Sequence, residues 1–111
     1  MNLPINIQKD LDAIVCAIND ILPEAKVYLF GSYATGTQRE DSDIDICVVV
    51  PEFRVRQMET IHLVNLAIFD VTKMPVDVLA FRNEDFEHRS KFKSQIHHKI
   101  KHKGVLLSGP V

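Results

Sequence analysis

This sequence of 111 residues has only two cysteines and no long apolar run. Cys16 and Cys47 both lie within apolar patterns, which predicts two buried thiols in a reducing compartment and no disulfide framework. No apolar stretch reaches the roughly 20 residues that cross a bilayer. The first ten residues, MNLPINIQKD, lack the basic start and apolar core of a signal peptide. We therefore expect a cytoplasmic protein that has no membrane partner.

The chain also has little net charge, because 13 Lys and Arg residues nearly balance 15 Asp and Glu residues. That balance gives no whole-chain reason to expect binding to nucleic acid. One segment, 88–103, is nevertheless basic and contains no acid. It is most often the solvated face of a helix, and binding to RNA or to an acidic partner is the other interpretation. His98 and His102 have metal-ligand spacing, but without a third ligand nearby an exposed helix is favoured.

Hydrophobic periodicity predicts the secondary structure of one domain spanning residues 1–111, with no repeat or linker. Helices are predicted over 6–22, 54–72 and 91–103, strands over 26–30, 43–50, 75–81 and 105–107, and a short helix or loop over 33–42. Asn83 is a candidate cap for a short turn. The order of these elements predicts an α+β fold in two layers, with a small mixed sheet and helices packed on one face.

Two of the predicted helices carry apolar residues that are expected to face the core. In the second helix these are Met58, Ile61, Val64, Ile68 and Val71. In the basic helix they are Phe92, Ile96 and Ile100. Tyr28 and Phe30 are expected to be core residues of the first strand, and Tyr33 is a candidate for stacking on a base.

The stretch GSYATGTQREDSDIDICVVV, residues 31–50, places two aspartates at the opening of a strand that then becomes wholly apolar. Asp43 and Asp45 alternate with isoleucines, so their carboxylates face the same way, roughly 6.5–7 Å apart along the backbone. Their repulsion is about 2–2.5 kcal/mol at an effective dielectric constant near 20. A divalent cation would make the pair favourable, and Mg²⁺ prefers oxygen ligands of this kind.

A third acid, Asp77, lies between Val76 and Val78 in another predicted strand. If the two strands pair, Asp77 can join Asp43 and Asp45 in one cluster. Three convergent carboxylates that hold two metal ions suit in-line phosphoryl or nucleotidyl transfer. Solvated edge acids that keep the strand soluble are the alternative interpretation.

Gly31 and Ser32 end the preceding strand just before a possible short helix. Backbone amides and a hydroxyl at such a turn can bind an anion, and a glycine lets the backbone approach it closely. The simpler interpretations are that Gly31 is a turn residue and that Ser32 is a helix N-cap.

The run GSYATGTQREDSDIDI resembles the Gly-Ser, ten residues, Asp-x-Asp signature of the DNA polymerase β-like nucleotidyltransferase superfamily. The short chain is most similar to the minimal nucleotidyltransferases (MNT) of that superfamily. The resemblance implies that Asp43 and Asp45 bind two Mg²⁺ ions and that Asp77 shares a metal and helps to deprotonate the attacking hydroxyl. It also implies that Gly31 and Ser32 hold the triphosphate of ATP.

The resemblance further implies a protein partner. Minimal members typically pair with a small helical HEPN toxin, and some inactivate it by adenylylating a tyrosine. We therefore expect an antitoxin that forms a hetero-oligomer, because so short a chain has little room for an acceptor-binding domain. Two alternatives stay open: an antitoxin that silences its partner by contact alone, and an RNA 3′-end nucleotidyltransferase that uses the basic segment.

The chain departs from the family pattern at one position, since many minimal members have Arg where it has Tyr33. An arginine there would lie near the phosphates, so its absence removes a positive charge from the nucleotide site. Lys26, Arg39 and Lys73 are candidates to replace that charge, and the sequence does not choose among them.

Overall fold

A computed structural model of the protein describes residues 3–109. The elements follow in the order α1 (Ile5–Ile21), β1 (Lys26–Phe30), α2 (Ser32–Thr35), β2 (Ile44–Val50), α3 (Gln57–Phe69), β3 (Val76–Arg82), α4 (Asn83–Arg89), α5 (Ile96–Lys103) and β4 (Val105–Ser108). The three predicted long strands and the short last one are therefore present. The region near Asn83, predicted as a turn, is a two-turn helix instead.

The first helix forms as its apolar spacing predicts. Ile7, Leu11, Ile14 and Ile18 recur on one side of α1 and are all buried. The amide of Leu22 donates to the carbonyl oxygen of Ile18 and closes the last turn, and Pro23 follows immediately. A proline at this position cannot continue the helix, which explains why α1 ends there.

The four strands form one mixed sheet in the order β3-β2-β1-β4. β1 runs antiparallel to both β2 and β4, whereas β2 and β3 are parallel and are connected through α3. This arrangement confirms the α+β class and the small mixed sheet. In this order β2 is an inner strand of the sheet and β3 is an edge strand.

Both faces of the sheet carry apolar side chains. On one face Val27 and Leu29 of β1 belong to a core that also contains buried residues of α1 and α3. On the other face Tyr28 of β1 packs in a second cluster with Phe86 of α4 and Ile100 of α5. The prediction of helices on one face is therefore incomplete, because β2 is apolar on both sides from Ile46 onward and needs cover on both.

Several predicted core residues are exposed. Met58 is 71% exposed and Val71 lies beyond the end of α3, whereas Thr60 is buried in their place. Val64 and Ile68 are buried and Ile61 packs against the same core, so the predicted inner face of α3 is confirmed except at its two ends. Cys47 is buried as predicted, but Cys16 is exposed, so the prediction for Cys16 is wrong.

The basic helix is shorter than predicted, and it buries a different face. Residues 91–95 form turns, and α5 begins only at Ile96. Its buried residues are His97 and Ile100, whereas Phe92 and Ile96 are exposed. The ring of His97 packs against Phe81, with ring centroids 4.3 Å apart. Among residues 3–109, no helix combines the length and the apolar character that a membrane span needs.

Candidate active site

The acidic end of β2 lies between two neighbouring strands. Asp45 is paired in register with Phe30 of β1 on one side and with Asp77 of β3 on the other. Residues paired across adjacent strands lie about 4.8 Å apart, and their side chains point to the same face. Asp43 stands two residues earlier, just before β2 begins. Asp43, Asp45 and Asp77 thus lie at neighbouring positions, in the residue before β2, in β2 and in β3 respectively.

The electrostatics of the cluster reflect this proximity. Burial raises the pKa of the Asp45 carboxyl above its ordinary value, and the nearby carboxylates of Asp77 and Asp43 raise it further. Asp45 is half-buried, whereas Asp43 and Asp77 are exposed to solvent. The protein by itself therefore disfavours the ionised form of Asp45, and a cation at this place would reverse that preference.

Gly31 forms the turn between β1 and α2, next to the side chain of Asp45. Its φ of 75° and ψ of −153° lie in a region that essentially only glycine adopts. A Cβ atom at this position would lie 2.1 Å from Oδ2 of Asp45. The carbonyl oxygen of Gly31 accepts hydrogen bonds from the amides of Ala34 and Thr35 at 3.1 and 3.2 Å, which starts α2. Two independent constraints, backbone conformation and space, therefore require glycine beside the carboxylate.

Next to this turn lies a cavity of about 310 Å³. Its lining residues come from β1, α2 and α5 and are Phe30, Gly31, Ser32, Thr35, Thr37, Ile96, Lys99, Lys103 and Gly104. We call it the Gly-Ser cavity. Because Gly31 touches both the cavity and Asp45, the cavity adjoins the carboxylate cluster.

The two lysines of the Gly-Ser cavity were not selected from the sequence. Lys99 and Lys103 are four residues apart, so they share one face of α5, and that spacing was the available signal. The sequence alone favours a solvated helix face for this basic segment. Lys26, Arg39 and Lys73, the candidates for a replacement positive charge, do not line this cavity.

Tyr33 does not occupy the place expected for a residue that contacts nucleotide. Its side chain is only 5% exposed and belongs to the core cluster that includes Val27 and Leu29. The ring is therefore not available to stack on a base, and that interpretation is wrong. Position 33 therefore contributes a core side chain and no positive charge.

The donor set of the cluster suits a hard cation. Within residues 3–109, no three His, Cys, Asp or Glu side chains converge closely enough to form a ready metal cage. Mg²⁺ is compatible with such a site, because it takes few carboxylates and keeps waters or substrate phosphates as its other ligands. The roles of Asp43, Asp45 and Asp77 as metal ligands, and of Gly31 and Ser32 as phosphate ligands, stay predictions.

The histidine pair of α5 has other contacts. The Nδ1 atom of His98 lies 2.9 Å from the carbonyl oxygen of Ser90. The rings of His98 and His102 are 4.3 Å apart between centroids and inclined at 44°. His98 thus connects α5 to the segment after α4, which is a structural contact.

Comparison with known protein families supports the resemblance. A model of the nucleotidyltransferase domain family matches residues 11–103 of the chain. The protein adenylyltransferase MntA of Shewanella oneidensis is 41% identical over 46 residues, which are 40% of this chain and 33% of that protein. The match thus spans about one third of the length of this relative.

Solved structures share the fold. A crystal structure of a toxin–antitoxin with AMP-PNP has a TM-score of 0.58 at 25% identity, over 88% of this chain and 72% of that chain. A variant of the toxin–antitoxin MntA-HpeT has a TM-score of 0.55 at 26% identity, over 97% and 74% of the two chains. A protein from Sulfolobus solfataricus matches 99% of this chain and 96% of its own, with a TM-score of 0.60 at 20% identity.

Proposed function

Because the chain belongs to the nucleotidyltransferase domain family, we propose that it transfers AMP from ATP to a hydroxyl of a partner protein, with Mg²⁺. One observation carries this proposal. Half-buried Asp45 lies in register with Asp77 and against Gly31, beside a cavity with two lysines. Carboxylates that can hold metal ions and an adjoining cavity that carries positive charge are the two components that transfer from a nucleoside triphosphate requires.

In the proposed reaction the hydroxyl oxygen of the acceptor forms a bond to the α-phosphorus of ATP. The bond from that phosphorus to the oxygen bridging the α- and β-phosphates breaks, and pyrophosphate leaves. Asp77 takes the hydroxyl proton, for which its exposed position at the edge strand gives access. Gly31 and Ser32 orient the triphosphate in the Gly-Ser cavity, so that the leaving group lies on the side of β1.

The carboxylates of Asp43, Asp45 and Asp77 would hold the Mg²⁺ ions. Bound there, the ions would polarise the α-phosphate and stabilise the attacking and leaving oxygens of an in-line displacement. The half-buried Asp45, whose pKa is raised by burial and by its acidic neighbours, has the most to gain from a cation.

We infer that the acceptor is a tyrosine hydroxyl on a helical toxin of the HEPN type and that this chain is the antitoxin. The relative MntA is a protein adenylyltransferase, and two of the similar crystal structures are toxin–antitoxins. AMP-PNP, present in one of them, is an analogue of ATP, which supports ATP as the donor.

The test is label transfer from α-labelled ATP in the presence of Mg²⁺ and a helical HEPN-type toxin as the candidate acceptor. Wild type should label the partner, and the mass of the partner should rise by whole AMP units on a tyrosine-containing peptide. The double variant Asp43→Asn/Asp45→Asn should lose at least about 100-fold in rate, because metal catalysis contributes several kcal/mol. Asp20→Asn, which removes an exposed carboxylate from α1, is the matched control.

Equal labelling by wild type and the double variant would refute the catalytic assignment. If the partner were then still inhibited, the chain would be an antitoxin that acts by contact alone. Label found on RNA 3′ ends rather than on protein would indicate the RNA nucleotidyltransferase interpretation.

A further inference from the structure

We propose that Lys99 and Lys103 of α5 bind the β- and γ-phosphates of the nucleotide and so make the Gly-Ser cavity selective for triphosphates. This inference rests on the proposed function and deepens it. It assigns the positive charge of the cavity to α5, since the residue that follows the Gly-Ser turn, Tyr33, is uncharged and buried.

The orientation of α5 separates its lysines into two groups. Lys99 and Lys103 both line the Gly-Ser cavity together with Gly31 and Ser32. Lys101, which lies between them in sequence, points elsewhere and forms an ion pair with Glu87 of α4. The three lysines thus share one short helix and differ in what they face.

The charge balance of the site favours this assignment. Among the described residues that line the cavity, Lys99 and Lys103 are the charged ones, and none is acidic. The adjoining cluster of Asp43, Asp45 and Asp77 repels the same phosphates. The two ammonium groups of α5 that line the cavity would therefore attract the β- and γ-phosphates, while the α-phosphate stays near Asp45.

The helix that carries the two lysines, α5, packs closely against β1. Ile100 is fully buried under the sheet, and Gly104 lets the end of α5 approach β1 closely. A Cβ atom on Gly104 would lie 2.3 Å from the carbonyl oxygen of Ile100 and 2.9 Å from that of Leu29. Leu29 also pairs with Val105 of β4. The backbone of α5 is therefore fixed before a ligand binds, and only the exposed lysine side chains have to become ordered.

The position of the lysines within α5 is also favourable before any ligand binds. Lys103 is the last residue of the helix, and Lys99 lies one turn earlier. Cations are stabilised near a helix C-terminus by the partial negative charge of the free carbonyl groups. The helix can therefore present both charges without an acidic partner.

The experiment compares the affinities of ATP, ADP and AMP for three single variants in the presence of Mg²⁺ and without acceptor. Lys99→Met and Lys103→Met should each weaken ATP binding about 10- to 100-fold, the range expected for a lost hydrogen bond to a charged group. AMP binding should change less than about threefold, because AMP lacks both outer phosphates. Lys101→Met, on the same helix but outside the cavity, should bind ATP as wild type does.

Two outcomes would overturn the inference. One is unchanged ATP affinity in both cavity variants, and the other is an equal loss for ATP and AMP. Thermal unfolding and circular dichroism verify that each variant folds, and Lys99→Arg should restore most of the ATP affinity if the charge is what matters. Label transfer that depends on Asp43 and Asp45 while the lysine variants bind ATP normally would reject this inference and leave the proposed function intact.

Discussion

The two ends of β2 use the same strand in opposite ways. At the C-terminal end of β2, residues 47–50 are buried on both faces of the sheet. They lie between α1 and α3 on one side and α4 and α5 on the other. At its beginning, Asp45 is half-buried between Phe30 and a second aspartate, where burial and like charge both disfavour its ionised form. The apolar end stabilises the fold, and the acidic end lowers that stability. A site that loses stability for the sake of reactivity is common in enzymes.

The largest change in stability is expected at Ile46, the neighbour of Asp45 that faces the opposite side. Ile46 is fully buried in the core that contains α1 and α3. Ile46→Ala should lower the free energy of unfolding by about 2–5 kcal/mol, because it removes buried methyl groups and leaves a cavity. Urea titration followed by circular dichroism measures this loss.

Asp45→Asn is the matched comparison for Ile46→Ala on the same strand. It should retain or raise the unfolding free energy while label transfer is lost. A variant with Asn at position 45 that unfolds as easily as the Ile46→Ala protein would contradict the division of β2 into a stabilising and a reactive end.

A smaller effect is expected at the turn that contacts the acidic end. Gly31→Ala should cost about 1–3 kcal/mol of stability from its backbone conformation, with a further cost from the clash with Asp45. Label transfer should fall as well, since the Asp45 carboxylate must move. Unfolding measurements and rate assays on the same sample give both quantities.

Gly36 is the control for that prediction. Its φ of 77° is also in the left-handed region, but a Cβ atom there would meet nothing within 4 Å. Gly36→Ala should therefore cost about 1–2 kcal/mol of stability and leave the rate of transfer unchanged. An equal loss of activity in both variants would mean that the contact between Gly31 and Asp45 has no special role.

The smallest effect is the dependence of stability on pH. Folding raises the pKa of Asp45, so the folded protein holds this proton at pH values at which the unfolded chain has lost it. Stability should therefore fall as the pH rises from the ordinary aspartate pKa through the raised one. Melting temperatures across this range measure the slope, and Asp45→Asn should reduce it.

Mg²⁺ provides a second measurement of the same effect. Above the raised pKa, Mg²⁺ should increase the melting temperature of the wild type by binding the folded protein. It should increase that of Asp45→Asn much less. An equal increase in both proteins would place the cation away from β2.

Local patterns in the sequence were sufficient for much of the fold and for the acidic part of the site. Gly31, Asp43 and Asp45 lie within fifteen residues of one another, so their spacing predicts a shared site without knowledge of any other element. The two lysines of the cavity could not be found in this way, since about seventy residues separate Lys103 from Gly31. Nor could the limits of the inner face of α3 be identified, because α3 also exposes apolar residues such as Met58, Leu63 and Leu66.

By itself the sequence determined most of the helices and strands and which way the aspartates face, because residue periodicity and the alternation of a strand are local properties. Only the tertiary structure decided that β2 pairs with β3 so that Asp45 meets Asp77, and that α5 lies against β1 beside the Gly-Ser turn. The placement of α5 accompanies the burial of Ile100, together with Phe86, against the second face of the sheet. That burial is a property of the whole packed chain and not of any one segment.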